Sequence, residues 1–234
     1  MVLHGGEEMP TKYGVPLVTL WQGLGVDFSG FSLEKSQNIL EKTKTGLSFV
    51  YLPNHFPQAH QLVTDREQIG KRPPLATLEL MWSPCSSPNV HLVCGFVHPP
   101  TENLFRETLK LRKFNHFTTV KGLEGSCDLP QSRTAIIGMN QPNHNPEWER
   151  LDLHPQDYQL NGKDVPLEST ENLLKQMKQV LQGEDNSLMS LAIYNGGFDL
   201  WRCGVCPDFK TGFNEAQTLL SSGKVRQKLE EIQG

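Results

Sequence analysis

The sequence predicts an α/β fold, a mostly parallel central sheet flanked by helices. Three observations predict it. Val90 to Val97 is nearly all apolar and is followed by Pro99-Pro100, the pattern of a short strand buried on both faces in a parallel sheet. Leu104, Phe105, Thr108 and Leu109 then recur on one side of a helix, and a second run, His116 to Val120, follows. Strand, helix and strand in that order make a βαβ unit. Leu173, Leu174, Met177, Val180 and Leu181 repeat at helical spacing, which gives an amphipathic helix able to cover a sheet face.

The elements follow in order along the chain. Val2-Leu3-His4-Gly5-Gly6 reads as the end of a strand feeding a glycine loop. Such loops hold phosphate through N–H groups that side chains leave uncovered. Leu17, Leu20, Trp21 and Leu24 line one face of a helix, with Pro16 suited to its first turn and Gly25 to its stop. Ser32 caps a second helix to about Lys44, with Gly46 after it. Phe49 to Leu52 is a short apolar run ended by Pro53, a strand or buried turn. Thr101 caps the helix of the βαβ unit. Thr134 to Ile137 is a third strand, and Glu149 to Leu153 another inside a connection rich in Asn, Pro, Asp and Gln. The helix at Leu173 closes at Gly183. Leu188 to Tyr194 reads as a buried helix broken at Gly196-Gly197, and Glu215 to Ile232 as helix with a break at Ser222-Gly223.

Composition narrows the function classes. With 37% hydrophobic and 21% charged residues in 234, the chain is an ordinary globular protein able to form one large domain. A net charge of −4 argues against a general nucleic-acid binder, which carries a basic surplus. No apolar run is long enough to span a bilayer, and no charged n-region precedes an apolar stretch at the N-terminus. A cytoplasmic location is the expectation. The five cysteines are widely spaced, which is not a secreted disulfide framework. Cys203-Gly204-Val205-Cys206 is a single C-x-x-C without a second ligand pair. It reads first as two thiols in a loop, and otherwise as a redox pair or half of a metal site.

Three segments together resemble the anthranilate phosphoribosyltransferase family, glycosyltransferases with a nucleoside-phosphorylase-like α/β fold. His4-Gly5-Gly6 with Lys12, Gly14 and the later Leu24-Gly25-Val26 resembles the family's Lys-His-Gly-Asn to Leu-Gly-Val region. Val120-Lys121-Gly122-Leu123-Glu124-Gly125 resembles its His-Gly-x-Gly-Leu-Asp-Glu segment. Leu191-Ala192-Ile193-Tyr194-Asn195-Gly196-Gly197, then Ser221-Ser222-Gly223-Lys224 and Gln227-Lys228-Leu229, resembles its C-terminal segments. Within the family the chain looks closest to the divergent paralogues, and its fold resembles the C-terminal large domain.

The resemblance implies transfer of a pentosyl group from phosphoribosyl pyrophosphate to an aromatic or amine acceptor, as in tryptophan biosynthesis. Such a reaction is carried by positioning, charge neutralisation and a magnesium ion on the leaving group. By position, His4, Gly5, Gly6 and Thr11 line the substrates, and Arg66 meets the acceptor's carboxylate through bidentate pairing. Glu124 falls on the first implied magnesium carboxylate; the second falls on Gly125, and Asp128 stands close enough in sequence to substitute for it from another backbone position. No counterpart of the family's N-terminal helical domain or of its Gly-Thr-Gly-Gly-Asp loop occurs in these residues. The expectation is therefore a single but incomplete domain over 1–234, inactive as the isolated chain, whose residues 28–65 carry helices that would pack on the helical domain. A homodimer is implied for the full-length form. The alternative is a non-catalytic paralogue that binds nucleic acid or another ligand, with Lys110, Arg112, Lys113 and Lys121, and Lys224, Arg226 and Lys228, as its basic residues.

Overall fold

The computed structural model describes residues 1–7, 14–42, 46–69, 74–87, 89–141 and 147–233. The first half builds a small parallel pair of strands. β1 (Val2–Gly5) lies beside β2 (Ser48–Tyr51), with His4 opposite Val50 and Gly5 opposite Tyr51. Between them run α1 (Leu17–Gly23), a 3-10 turn at Phe28–Gly30 and α2 (Leu33–Lys42). Ser32 caps α2 as its residue type predicts, its Oγ accepting from Lys35 N–H at 3.1 Å. Ser36 and Ser48 then stitch α2 to β2: Ser36 Oγ donates to Phe49 O and Ser48 Oγ to Ser36 O. Short helices follow: α3 (Leu52–His55), α4 (Pro57–His60), α5 (Leu62–Ile69) and α6 (Pro74–Glu79).

The second half holds a four-stranded sheet in the order β3 (His91–Gly95), β4 (His116–Val120), β5 (Ala135–Asn140), β6 (Trp148–Leu153). β3 and β4 are parallel across α7 (Pro99–Leu111), the predicted βαβ unit. β4–β5 and β5–β6 are antiparallel. The α/β class stands, but the single mostly parallel sheet resolves into a parallel pair and a mixed sheet. The only helical element between β4 and β5 is a 3-10 turn at Leu123–Gly125, and too few residues separate Asn140 from Trp148 for a parallel crossover, which needs a dozen or more. Four helices close the fold: α8 (Thr170–Leu181), α9 (Met189–Arg202), α10 (Phe209–Ser221) and α11 (Lys224–Gln233).

The main core lies between β4–β6 and α8–α10, around Tyr194, Ile137, Phe213 and Met139. A second core under β1–β2, with Phe28, Phe49 and Val18, takes Ile232 and Leu229 from α11. The last helix thus seals the first sheet, and Gln233 Nε2 donates to Leu24 O at 2.6 Å.

Five local expectations are corrected. β3 is not buried on both faces: it is an edge strand, and Val93 is 36% exposed. Thr101 does not cap α7. Pro99 and Pro100 occupy the first helical positions, where their fixed φ and missing N–H suit the helix, so it starts after His98. On α7 Phe105 and Leu109 are fully buried, but Leu104 is 49% exposed. α9 is not broken at Gly196-Gly197 but runs through to Arg202, because those glycines are where α10 comes against it. The third strand runs to Asn140, beyond the expected Ile137.

Candidate functional site

His4 stands mid-strand on the face of β1 turned away from the Phe28–Phe49 core. It opens with Val50 onto a cavity of about 360 Å3. Leu33, Phe56, Trp82 and Arg112 complete the walls, the last two brought from the loop before β3 and the end of α7. Phe56 and Trp82 form a tilted ring pair with centroids 5.3 Å apart. Burial holds the His4 imidazole below its usual pKa, so it is neutral near pH 7. His55 is locked: its Nδ1 accepts from Tyr51 N–H at 3.1 Å, which leaves Nε2 to donate to Phe31 O at 2.9 Å. That fastening ties the turn after β2 to the Phe28–Phe31 segment and fixes the wall that carries Phe56.

Gly5 and Gly6 follow His4 without being required by packing. A Cβ on Gly5 would meet Phe49 at 3.5 Å and one on Gly6 would meet Pro53 at 3.6 Å, both ordinary contacts. Gly5 is half-buried and Gly6 is buried. Thr11 and Lys12 lie outside the described residues. The backbone of Arg66 lies in α5, and its side chain is outside the described residues.

The second predicted segment lies at the C-terminal ends of β3 and β4. Its 3-10 turn, Leu123–Gly125, has Gly125 at φ +86°, a conformation that favours glycine. The loop folds flat on the strand ends: a Cβ on Gly95 would collide with the carbonyls of Gly125 and Ser126, and one on Gly122 with that of Ser126. Asn195 of α9 clamps its far end, accepting from Leu129 N–H at 2.7 Å and donating to Leu129 O at 3.4 Å. Cys127, an exposed residue, places its sulfur 3.6 Å from the Val93 carbonyl at the free edge of β3. Burial pushes this thiol up to about 12, so it is not a thiolate.

Asp128 Oδ2 accepts from Ser126 Oγ at 2.6 Å, and Ser126 Oγ accepts from Asp128 N–H at 3.0 Å. Asp199 on α9 is close enough to feel that charge. Burial first, and Asp128 second, push its carboxyl up to about 6. Asp128 borders a smaller cavity of about 130 Å3 with Ser126, Lys163 and Asp164. Glu124 contributes only its backbone here, since its side chain lies outside the described residues. Among the described residues no three His, Cys, Asp or Glu side chains are grouped to hold a metal. The hard oxygen of Asp128 nevertheless suits magnesium, which takes one or two carboxylates and completes its shell with water and substrate phosphate.

The structure thus brings His4 to an aromatic cavity and Asp128 to a separate polar one, and the two share no lining residue. Sequence reasoning missed Trp82, Phe56 and Asp199. The readable signal was Asn195, one polar residue inside an apolar helical run. Cys203 is exposed and Cys206 buried, both free thiols, in keeping with the loop reading. In α11, Arg226 pairs with Glu230 and Lys228 with Glu231, which offsets two of the three charges of that basic run. No helix is long and apolar enough to cross a membrane among the described residues.

The comparisons with known sequences and with solved structures agree with one another. No family model matches the chain. Anthranilate phosphoribosyltransferase of Aromatoleum aromaticum is 26% identical over 232 residues, covering 98% of this chain and 65% of the relative. The same-named protein of Albidiferax ferrireducens is 24% identical, with 98% and 63% covered. The crystal structure of the Thermus thermophilus anthranilate phosphoribosyltransferase superposes with a TM-score of 0.79 at 21% identity, over 99% of this chain and 67% of that one. The Saccharomyces cerevisiae protein in complex with PRPP and Mg superposes at 0.80 with 16% identity, over 99% of this chain and 63% of that one. The fold is that of these structures, and the family resemblance read from the sequence is borne out along nearly the whole chain. The chain spans somewhat under two thirds of the length of these curated relatives, 63% and 65%.

Proposed function

We propose that this chain, an anthranilate phosphoribosyltransferase-like α/β domain, serves the transfer of a pentosyl group from phosphoribosyl pyrophosphate to an aromatic amine, and supplies part rather than all of the site. The likeness to anthranilate phosphoribosyltransferases over 98% of the chain is the observation that carries this reading.

In this reading the glycine run that follows β1 meets the sugar phosphate through backbone N–H groups. Neutral His4 has a lone pair to accept a proton from the attacking amine. The flat cavity beside His4 takes the acceptor ring. Asp128, with Glu124 on the same loop, would hold the magnesium that arrives with the diphosphate. When bound, that ion neutralises the leaving group. Placement of the two substrates in line is the work left to the protein. Exposed Leu33 and Phe56 within residues 28–65 are part of the apolar surface we assign to a helical domain, in cis or on another chain. The basic residues near α7 do not favour nucleic acid, since Arg112 is held at the aromatic cavity.

The test is a pair of measurements on the 234-residue chain. Phosphoribosyl pyrophosphate should bind in a magnesium-dependent manner, and Asp128→Ala should weaken that binding. Incubation with anthranilate should give no product. A product peak above the Asp128→Ala control would overturn the claim of an incomplete site, and absence of magnesium-dependent binding would overturn the donor assignment.

A further inference from the structure

The small cavity beside Asp128 holds more hydrogen-bond acceptors than the fold uses. Gln131 lines it and is only 4% exposed. Its amide nitrogen donates to the Leu160 carbonyl at 2.5 Å and to Ser190 Oγ at 2.6 Å. A carbonyl can only accept, so the two ends of this amide are fixed. Its oxygen, Oε1, meets no donor among the described residues. A buried amide oxygen without a donor is a standing cost that a ligand's N–H removes. Asp128 Oδ2 accepts from Ser126 Oγ, and Asp164 Oδ2 from Ser132 Oγ at 2.8 Å. Both carboxylates are thereby aimed, and the second oxygen of each is without a donor among the described residues. Against these two acidic side chains the lining has one basic one, Lys163, a net charge of −1. The rest of the wall is apolar, with Leu129, Val165 and Leu191. It is set in advance: Asn195 holds Leu129, and Gly162 N–H donates to Gln131 O at 3.3 Å, fastening the segment that carries Lys163, Asp164 and Val165. The volume, about 130 Å3, is below the roughly 300–1,000 Å3 of drug-sized sites, which restricts the cavity to a small ligand.

We infer that this cavity is a site for a small free primary alkylammonium, whose three N–H donors meet Gln131 Oε1, Asp128 and Asp164 while its short chain lies against Val165 and Leu191. The inference goes beyond the transferase reading and does not rest on it. One buried amide oxygen without a donor, two carboxylates with open oxygens and an apolar wall, all in one small cavity, carry it.

Titration of the 234-residue chain with butylammonium, followed by calorimetry and by the methyl NMR signals of Val165 and Leu191, tests it. The buffer is free of magnesium, because Asp128 is also the carboxylate assigned to that ion. Both methyl sets should shift and saturate together with the heat. Butanol should bind about tenfold or more weakly, since it brings one donor and no charge, and butyrate should not bind. Asp164→Asn should weaken the amine about fivefold or more. Lys163→Gln should tighten it, because a competing cation leaves the wall. Asp157→Asn, in the exposed turn Pro155–Tyr158 outside the cavity, should leave the affinity unchanged. No binding of butylammonium, equal affinity for butylammonium and butanol, heat without shifts at Val165 and Leu191, or a loss in Asp157→Asn as large as that in Asp164→Asn would each overturn the inference. Displacement of the amine by an equal concentration of potassium chloride would overturn it too, and make the cavity a site for an inorganic cation.

Discussion

Gly197 and Gly212 meet where α9 crosses α10. A Cβ on Gly212 would strike the Gly197 carbonyl oxygen, and one on Gly197 would stand 2.7 Å from the Phe213 backbone nitrogen. Two helices approach here backbone to backbone, and only hydrogen fits between them. A helix-interior glycine ordinarily costs about 1 kcal/mol relative to alanine, so its presence mid-helix reflects this crossing. Gly212→Ala gains that propensity yet forces the helices apart. The expected net loss is about 1–3 kcal/mol, read by urea denaturation. Gly196→Ala, whose Cβ would meet Ala216 at an ordinary 3.7 Å, should be neutral or stabilising.

The clasp of α11 on the first sheet makes a second prediction. Ile232 is 8% exposed in the core formed by Phe28, Phe49 and Val18. Ile232→Ala should cost about 2–4 kcal/mol. Because that core backs β1, the same variant should weaken binding of aromatic ligands in the His4 cavity, although Ile232 does not line it. Retained affinity would mean the two faces of β1–β2 are uncoupled.

Glu102 makes a third. This buried carboxylate of α7 accepts from Thr119 Oγ1 at 2.7 Å and from Arg150 Nη2 at 2.5 Å. It joins α7, β4 and β6 across the sheet. Arg150→Met strands a buried charge and should cost about 3 kcal/mol. Adding Glu102→Gln to that variant should recover part of the loss, because the stranded charge is then gone.

Stability against pH makes the fourth. Asp199 is pushed up to about 6 by burial and by Asp128. The folded state therefore holds its proton longer than the unfolded chain does, and its contribution is lost as pH rises from about 4 through about 6. His91 is pushed down to about 4 by burial, with Arg202 and His116 adding to it. Its contribution is present above its ordinary 6.5 and is lost as pH falls through about 4. The two oppose each other over the same window. Asp199→Asn should remove one and leave stability rising with pH between about 4 and 6.5, with a gain of about 1 kcal/mol at pH 7 after discount for solvent screening, because the residue as a whole is exposed although its carboxyl group is desolvated. Denaturation midpoints of wild-type and variant measured at pH 4.5 and pH 7 check it, and an unchanged difference between them would remove the Asp199 account.

Much of the fold was legible because local rules decided it. Ser32 before a helix, Gly183 at φ +79° after one, and the alternation of strand and helix from His91 to Val120 each follow from the chain's own chemistry. The α7 start failed because Pro99-Pro100 outranked Thr101 for the first turn. The α9 break failed because a glycine pair reads as a stop when its partner helix is out of view.

The sequence by itself determined the fold class, the order of the elements and the family resemblance, since periodicity, caps and motif order are properties of neighbours along the chain. Tertiary structure alone decided the sites. It turned β3 into an edge plugged by Cys127, set Asp199 beside Asp128, and carried Trp82 and Arg112 to the cavity at His4. Those partners are about 70 or more residues apart or on different elements, and no local pattern encodes which distant side chains a closed core will press together.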